Sequence, residues 1–331
     1  MNLVASLSDE SLAGKLASLA NTPADLDRMA GAVHALVCHA GLSLAHVETD
    51  LRKVLAERSF YGAYCELGAY EWFDRHHVDF AAQIELTGQD VLNPKGCIVD
   101  GRLNVIDAYF DVKGMGFQAY VADLFRQRLE QLLQGLAVTI DGAMDIAVKD
   151  IECYGFGQLR ALAQKLTGGG AEKIPQLSWT IRAEPPRDIT MSVHTNNPYR
   201  LAEENRYFPF KTATQFTRKR PFVLVFAYAA QFNHALFLNF ASNTEITLRS
   251  LARRAFLQLT SDSTPAQRFD DQVAAGILVA NAARLISGIL FINLSNDDAW
   301  FFLNPRATPR SFDSTCRRFY RFLQAYQTQP H

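Results

Sequence analysis

The spacing of apolar and polar positions changes after about residue 77. Before that point apolar side chains recur every three or four positions, which predicts two helices within residues 8–50 and a longer helix over 44–77. Three short segments rich in β-branched and aromatic residues follow, separated by Gly, Asn and Pro. They predict consecutive strands in VDFAAQIELTG, KGCIVDGRL and NVIDAYFDVKG, the last two forming a hairpin about residues 101–104.

Helical and strand-like segments continue to alternate through the rest of the chain. The sequence predicts helices in GFQAYVADLFRQRLEQLLQG and FGQLRALAQKL, over 243–259 and 270–287, and in SFDSTCRRFYRFLQAY. It predicts strands in LAVTI, LSWTIRAE, ITMSVHT and PFVLVFAYAA, and a hairpin of GILFINL with AWFFLNP. The uninterrupted apolar run of PFVLVFAYAA is typical of a strand buried on both faces. Because strands and helices are interleaved, we expect an α/β protein with a mixed sheet flanked by helices.

Composition excludes several classes of protein. The 331 residues are 48% hydrophobic and 20% charged, which excludes a disordered chain. No apolar run reaches the ~18 residues of a membrane span, so we expect a cytoplasmic protein without a membrane partner. The five cysteines are scattered, which argues against a disulfide framework and a structural zinc site. GxGxxG, GxSxG and HExxH are absent, which argues against dinucleotide enzymes, α/β-hydrolases and zincins.

Four ionisable residues stand in an order that suggests chemistry. Glu66 falls in a predicted helix, Asp100 in the second predicted strand, and Asp111 and Lys113 in the third. Side chains two residues apart on a strand share a face, so Asp111 and Lys113 project together, and the hairpin register could bring Asp100 beside Asp111. Converging carboxylates suit Mg²⁺, which binds one or two carboxylates, several waters and substrate phosphate. A neighbouring lysine could act on the attacking water or stabilise developing charge.

This pattern resembles the PD-(D/E)xK, or restriction-endonuclease-like, nuclease superfamily. The family core runs helix, three strands, helix, strand, and the predicted elements of residues 51–140 follow that order. GAYCELGAYEWFDRHHVDF is similar to the first helix of the family, which gives Glu66 the role of its helical acid. KGCIVDGRL is similar to the strand that carries the first aspartate, here Asp100, although Val99 replaces the proline that often precedes it.

The resemblance also assigns the lysine of the motif and a supporting residue. YFDVKG is similar to the (D/E)xK strand, which places Asp111 and Lys113, and Gln118 stands where some members carry an accessory glutamine. The resemblance implies a Mg²⁺-dependent endonuclease, with Mn²⁺ as an alternative ion and DNA as the expected substrate. Asp100, Asp111 and Glu66 would be the metal ligands. The implied organisation is a helical segment over 1–50, followed by a restriction-endonuclease-like domain over 51–331.

The core motif of that domain spans 58–140, and an extended C-terminal α/β half spans 187–331. This half contains the basic residues that are candidates for binding nucleic acid. Residues 1–186 hold 16 Lys and Arg against 24 Asp and Glu, whereas residues 187–331 hold 17 against 10. Arginine and lysine suit phosphate oxygens, which predicts nucleic-acid contacts from the C-terminal half. The candidates are Arg218, Lys219, Arg220, Arg249, Arg253 and Arg254. A basic surface that pairs with the acidic half of the chain is the alternative.

Other interpretations of these residues remain open. Asp111 and Lys113 could form a structural salt bridge or a solvated strand face. Glu71 and Glu85 are alternatives for the helical acid, and Asp107 is an alternative metal ligand. The chain could be a catalytically inactive binding or scaffold module of the same fold, or an unrelated α/β protein. A homodimer or a larger complex is also left open.

Overall fold

The elements of the structure follow much of the predicted order. The computed structural model describes residues 23–38, 41, 60–115, 119–142, 150–186, 198–229 and 241–308. The described strands are β1 Phe80–Leu86, β2 Cys97–Leu103, β3 Ala108–Gly114, β4 Ala137–Gly142, β5 Gly170–Ile174, β6 Trp179–Glu184, β7 Phe222–Tyr228, β8 Ile286–Asn293 and β9 Ala299–Leu303. The described α-helices are α1 Pro23–Cys38, α2 Phe60–Arg75, α3 Ala119–Leu133, α4 Leu159–Leu166, α5 Pro198–Glu204, α6 Ala241–Arg253 and α7 Val279–Leu285.

The chain forms two compact units. The first unit comprises residues 1–115, 197–229 and 242–331, and the second comprises residues 116–196 and 230–241. This division differs from the expected single domain over 51–331, because the middle of the chain folds around a core of its own. Among the described helices, none is long and apolar enough to cross a membrane.

A six-stranded mixed sheet forms the first unit. Its strand order is β1-β2-β3-β7-β8-β9, with β3, β7 and β8 parallel and the other neighbours antiparallel. Every residue of β7 is buried, and β8 is buried up to its last residue. Central strands covered on both faces need apolar side chains throughout, which explains the uninterrupted runs FVLVFAY and ILFI. The α/β class and the mixed sheet are therefore confirmed.

Helix α2 packs on β3 and β7 through aromatic side chains. The Tyr70 ring stacks on Phe80 at 5.5 Å between centroids, and the Phe73 ring meets Phe110 edge-on at 5.2 Å. All four rings are buried. Such pairs add about 0.5–1.5 kcal/mol each beyond the area they bury, so they fix the helix against this part of the sheet.

A three-stranded antiparallel sheet, in the order β4-β6-β5, forms the second unit. Helices α3 and α4 contribute one apolar face each to its core. Phe125 and Leu129 of α3, Leu162 of α4, and Trp179 and Ile181 of β6 lie within this core. The amphipathic spacing of α3 in the sequence thus reflects burial against a sheet of which the sequence predicted β4 and β6 but not β5.

Several predicted boundaries differ from the observed ones. The hairpin turn occupies residues 104–107 rather than 101–104, since Gly101 lies inside β2. Strand β5 was missed because GAEKI is short, mostly polar and paired only with β6. The helix predicted over 270–287 is limited to α7, and Ile286 already belongs to β8.

The missing part of that helix is replaced by turns that side chains hold. Asp270 accepts hydrogen bonds from the Gln272 backbone N–H at 3.3 Å and from the Thr214 backbone N–H at 2.9 Å. Aspartate favours such local bonds over helix. The helix predicted before residue 23, the strand ITMSVHT and the helix SFDSTCRRFYRFLQAY lie outside the described residues.

Gly101 is required by close packing in β2. A Cβ atom at this position would lie 2.3 Å from the Ala81 carbonyl oxygen and 2.6 Å from the Phe110 ring. The Phe110 ring therefore covers the backbone of β2 next to Asp100.

We expect Gly101→Ala to destabilise the protein by about 1–3 kcal/mol, the usual cost of overpacking. The matched control is Gly62→Ala in helix α2, where nothing lies within 4 Å of the added Cβ. That change should be neutral or slightly stabilising, because alanine is the better helix former. Denaturant unfolding of both variants measures the difference. Equal stabilities would contradict the packing of Phe110 over Gly101.

Candidate active site

Strands β2 and β3 pair for three residues and then separate. Their register runs from Leu103 opposite Ala108 to Gly101 opposite Phe110. Beyond this point β2 remains paired with β1, and β3 remains paired with β7. We call the resulting gap, between residues 97–100 of β2 and 111–114 of β3, the fork. Polar side chains can enter a sheet here without displacing ladder hydrogen bonds.

Asp100 stands where both neighbouring ladders are interrupted. In the β1–β2 register its opposite residue is Gln83, which adopts a φ of 52° and is not one of the paired residues. A positive φ is uncommon for a residue other than glycine. On the other side the Asp100 Oδ2 atom accepts a hydrogen bond from the Val112 N–H at 2.6 Å. The carboxylate thus substitutes for a backbone partner and fixes the geometry of the fork.

Asp111 is a fully buried carboxylate with few partners. Its side chain has 0% exposure, and its Oδ2 atom lies 2.7 Å from the Lys113 ammonium, whose side chain is 29% exposed. No described donor reaches either Asp111 oxygen with hydrogen-bond geometry. Its neighbour on β7 is Leu224, whose side chain has no hydrogen-bonding group. A buried charge in such surroundings is costly unless a cation or a proton compensates it.

The electrostatics of the fork follow from this burial. Burial and the repulsion of Asp100 raise the pKa of Asp111 well above its usual value. Burial also raises the pKa of Asp100, although Lys113 and the Val112 N–H oppose the increase. Burial alone would lower the pKa of Lys113, but the Asp111 and Asp100 carboxylates raise it above the ordinary value. Lys113 therefore stays protonated at neutral pH, while the two carboxylates compete for the available positive charge.

Cys97, the first residue of β2, does not supply a nucleophile to the fork. Burial and the nearby Asp111 carboxylate raise the pKa of its thiol to about 11. The reactive thiolate is therefore scarce at neutral pH.

Helix α2 brings Glu66 to the fork through Tyr70. The Tyr70 hydroxyl lies 3.0 Å from Glu66 Oε1 and 2.8 Å from the Asp100 carbonyl oxygen. One hydroxyl proton serves two acceptors, so Tyr70 donates to only one of them at a time. Burial and the Glu66 carboxylate raise the pKa of Tyr70, which keeps the hydroxyl protonated.

Tyr70 was missed by sequence reasoning because a tyrosine in an apolar helix resembles a core residue. Its position one turn after Glu66, on the same helix face, was the available signal.

The structure thus brings Asp100, Asp111 and Lys113 together and connects Glu66 to them through Tyr70. Gln118 lies outside the described residues. The alternative acids are engaged elsewhere or face away. Glu71 pairs with Arg75, Glu85 is exposed on β1, and Asp107 pairs with Arg102 and Arg220.

The first group of basic residues lies at the opposite end of β3 from Lys113. Arg218, Lys219 and Arg220 precede β7, and the Tyr109 N–H bonds to the adjoining Pro221 carbonyl. All three basic side chains are engaged by the protein. They contact the Val91 carbonyl, Asp90 and Asp107 respectively. Asp107 and Lys113 are six positions apart, which is about 20 Å in extended chain, so the structure does not bring this group to the fork.

The second group lies on and just after helix α6. Arg249 pairs with Glu245 on the same helix, and Arg254 pairs with Glu203 at 2.7 Å. Arg253 is exposed, and no described carboxylate pairs with it. Of the six predicted basic residues, Arg253 has the least engaged charge.

The residues of the fork bear on metal binding in two ways. Among the described residues, no group of three or more His, Cys, Asp or Glu is arranged to hold a metal ion. The adjacent carboxylates of Asp100 and Asp111, with unsatisfied buried oxygens on Asp111, nevertheless suit a hard cation that takes its other ligands from water or substrate. No family model, curated protein or solved structure matches the chain.

We expect Asp111→Asn to unfold at or above the temperature of the parent at pH 7 in the presence of chelator. Because the pKa of Asp111 is raised in the folded protein, its neutral form contributes stability that is lost as pH rises through that pKa. Asparagine resembles the neutral form, so the advantage of the variant should grow from pH 4 to pH 8. Thermal unfolding across this range measures it.

The control for this experiment is Asp107→Asn, which removes the same charge from an exposed turn beside β3. Its difference from the parent should be small at every pH, since exposed ion pairs contribute ~0–1 kcal/mol. If Asp111→Asn instead loses ~3–5 kcal/mol, the scale of a broken buried ion pair, the carboxylate repulsion described here is refuted.

Proposed function

We propose that the protein is a metal-dependent nuclease that hydrolyses phosphodiester bonds, with DNA as the first candidate substrate. The observation that carries this proposal is the surplus of negative charge in the fork. Asp100 and Asp111 share a buried space, and Lys113 is the one cation that reaches them among the residues that the structure describes. A divalent cation compensates such a surplus, and phosphodiester hydrolysis uses one.

The order of elements supports the resemblance to restriction-endonuclease-like proteins. Helix α2 precedes three antiparallel strands, Asp100 lies on the second, Asp111 and Lys113 lie on the third, and helix α3 follows. The arrangement also departs from the simple order. The strand after α3 is β4, which belongs to the second unit, and the parallel neighbour of β3 is the much later β7.

In this proposal Asp100 and Asp111 hold Mg²⁺ or Mn²⁺, with Glu66 contributing directly or through water. The bound ion would activate water and neutralise charge on the phosphate. Lys113 is protonated, so it positions the attacking water and stabilises developing negative charge rather than accepting a proton. Tyr70 holds Glu66 beside β2, and the Val112 N–H keeps one Asp100 oxygen in place.

A non-catalytic module of the same fold is the second candidate. The 2.7 Å approach of Lys113 to Asp111 favours it, because a satisfied ion pair needs no metal. Incubation of plasmid, single-stranded DNA and RNA with the protein separates the two candidates. Cleavage that requires Mg²⁺ or Mn²⁺ and stops with chelator supports the nuclease. Binding without cleavage under all these conditions supports the module.

Asp111→Asn should reduce cleavage at least ~100-fold, the scale of losing a group that stabilises transition-state charge. Asp107→Asn should cleave like the parent, although it removes the same charge from the same hairpin. Asparagine also tolerates the φ of 49° at this position, so folding should be preserved. Initial rates of plasmid nicking measure both variants. Equal losses in the two variants would contradict the assignment of the fork as the active site.

A further inference from the structure

The last turns of helix α6 form a basic ridge between two cavities. Arg249 and Arg253 are exposed and lie one helical turn apart, about 6 Å between their Cβ atoms. Both residues line a cavity of about 610 Å³ and a second cavity of about 320 Å³. We call this pair the arginine ridge, and the two spaces the larger and the smaller cavity.

The larger cavity is lined by three arginines, one of them paired with Glu245 in the same lining, and by an exposed aromatic ring. Arg254 lines it, and its guanidinium is held by Glu203 at 2.7 Å and by the Ser250 carbonyl at 3.2 Å. Tyr199 lines the opposite side, and 59% of this residue is exposed. The Tyr199 backbone is tied to the same guanidinium, which donates to its carbonyl oxygen at 3.3 Å. The backbone that carries this exposed ring is thus anchored beside the arginines.

The smaller cavity is apolar. It lies between the turn after α6 and the end of β9, and is lined by Phe256, Leu257, Phe302, Leu303 and Pro305 besides the arginine ridge. Leu257 is 36% exposed, and Phe302 is half-buried. Guanidinium groups therefore separate two surfaces that can receive flat or apolar groups.

We propose that the arginine ridge and its two cavities bind single-stranded nucleic acid. Phosphates lie on Arg249 and Arg253, one base stacks on Tyr199, and another enters the smaller cavity. Arginine forks match phosphate oxygens, and aromatic surfaces accept bases that are not already stacked in a duplex. The inference rests on the proposed function for its ligand class, and it specifies that the substrate strand is unpaired.

Fluorescence anisotropy with labelled oligothymidylate tests the proposal, with chelator present so that cleavage does not interfere. A duplex of equal length, a polyglutamate peptide and inorganic phosphate are the competitors. We expect the single strand to bind most tightly. Its affinity should fall with salt at a slope of ~0.7 per neutralised phosphate. The double variant Arg249→Ala/Arg253→Ala should bind at least ~10-fold more weakly, with a slope smaller by ~1.4.

The matched control is Lys95→Ala/Arg268→Ala, which removes two exposed positive charges of the first unit that line neither cavity. It should bind almost like the parent. Tyr199→Ala should lose ~5–10-fold in affinity without a change in the salt slope, because stacking involves no counterion release. If the double variant melts early, Arg253→Gln alone should still lower the slope by ~0.7.

Several outcomes overturn the inference. These are equal or tighter binding of duplex, preference for polyglutamate, and identical affinities for the ridge variant and its control. The two proposals stay distinguishable, because binding is measured with chelator and cleavage is measured separately with Mg²⁺ or Mn²⁺. If the protein cleaves nucleic acid but the ridge variants bind the single strand like the parent, this inference is rejected and the proposed function stands. If the ridge variants weaken binding but no metal-dependent cleavage is found, the proposed nuclease function is rejected and this inference stands.

Discussion

The repulsion between two buried carboxylates is the interaction on which the fork depends. Asp100 and Asp111 lie where β2 leaves β3, and water does not reach Asp111 to screen its charge. Lys113 compensates part of this charge and the Val112 N–H another part. The remainder must be met by a proton or by a cation from solution. The proposed metal site would therefore be sensitive to pH, because a proton and a cation would compete for the same carboxylates.

An apolar scaffold makes that charge arrangement effective. β7 lies directly beside β3 and is buried along its whole length, and the rings of helix α2 cover the neighbouring part of the sheet. Such surroundings strengthen every electrostatic interaction in the fork, attractive or repulsive, because the local dielectric is low. The aromatic contacts also fix the positions of Glu66 and Tyr70 relative to β2. Hydrophobic packing thus determines where the polar groups stand, and the polar groups determine what the site can bind.

The sequence predicted the strands well and the site only in part. Short segments rich in β-branched and aromatic residues located β1 to β3, and the two-residue spacing of Asp111 and Lys113 placed their side chains on one face. The proximity of Asp100 to Asp111 was expected from the hairpin, although the strands separate just before these residues and the turn lies at 104–107. The interruption at Gln83, the role of Tyr70 and the second unit could not be predicted, since each depends on contacts between segments distant in the sequence. Local patterns do not specify such contacts.

The ion pair of Asp111 with Lys113 does not by itself decide between a structural and a catalytic site. A purely structural pair gains most when each partner's remaining hydrogen-bonding capacity is satisfied and the net charge is zero. Here two carboxylates face a single ammonium, and no described donor has hydrogen-bond geometry to the Asp111 oxygens. Lys113 also keeps part of its surface exposed, so a ligand can approach its ammonium from solvent. The proposed cation and phosphate site requires these two features, unsatisfied carboxylate oxygens and an accessible ammonium, whereas a purely structural ion pair requires neither.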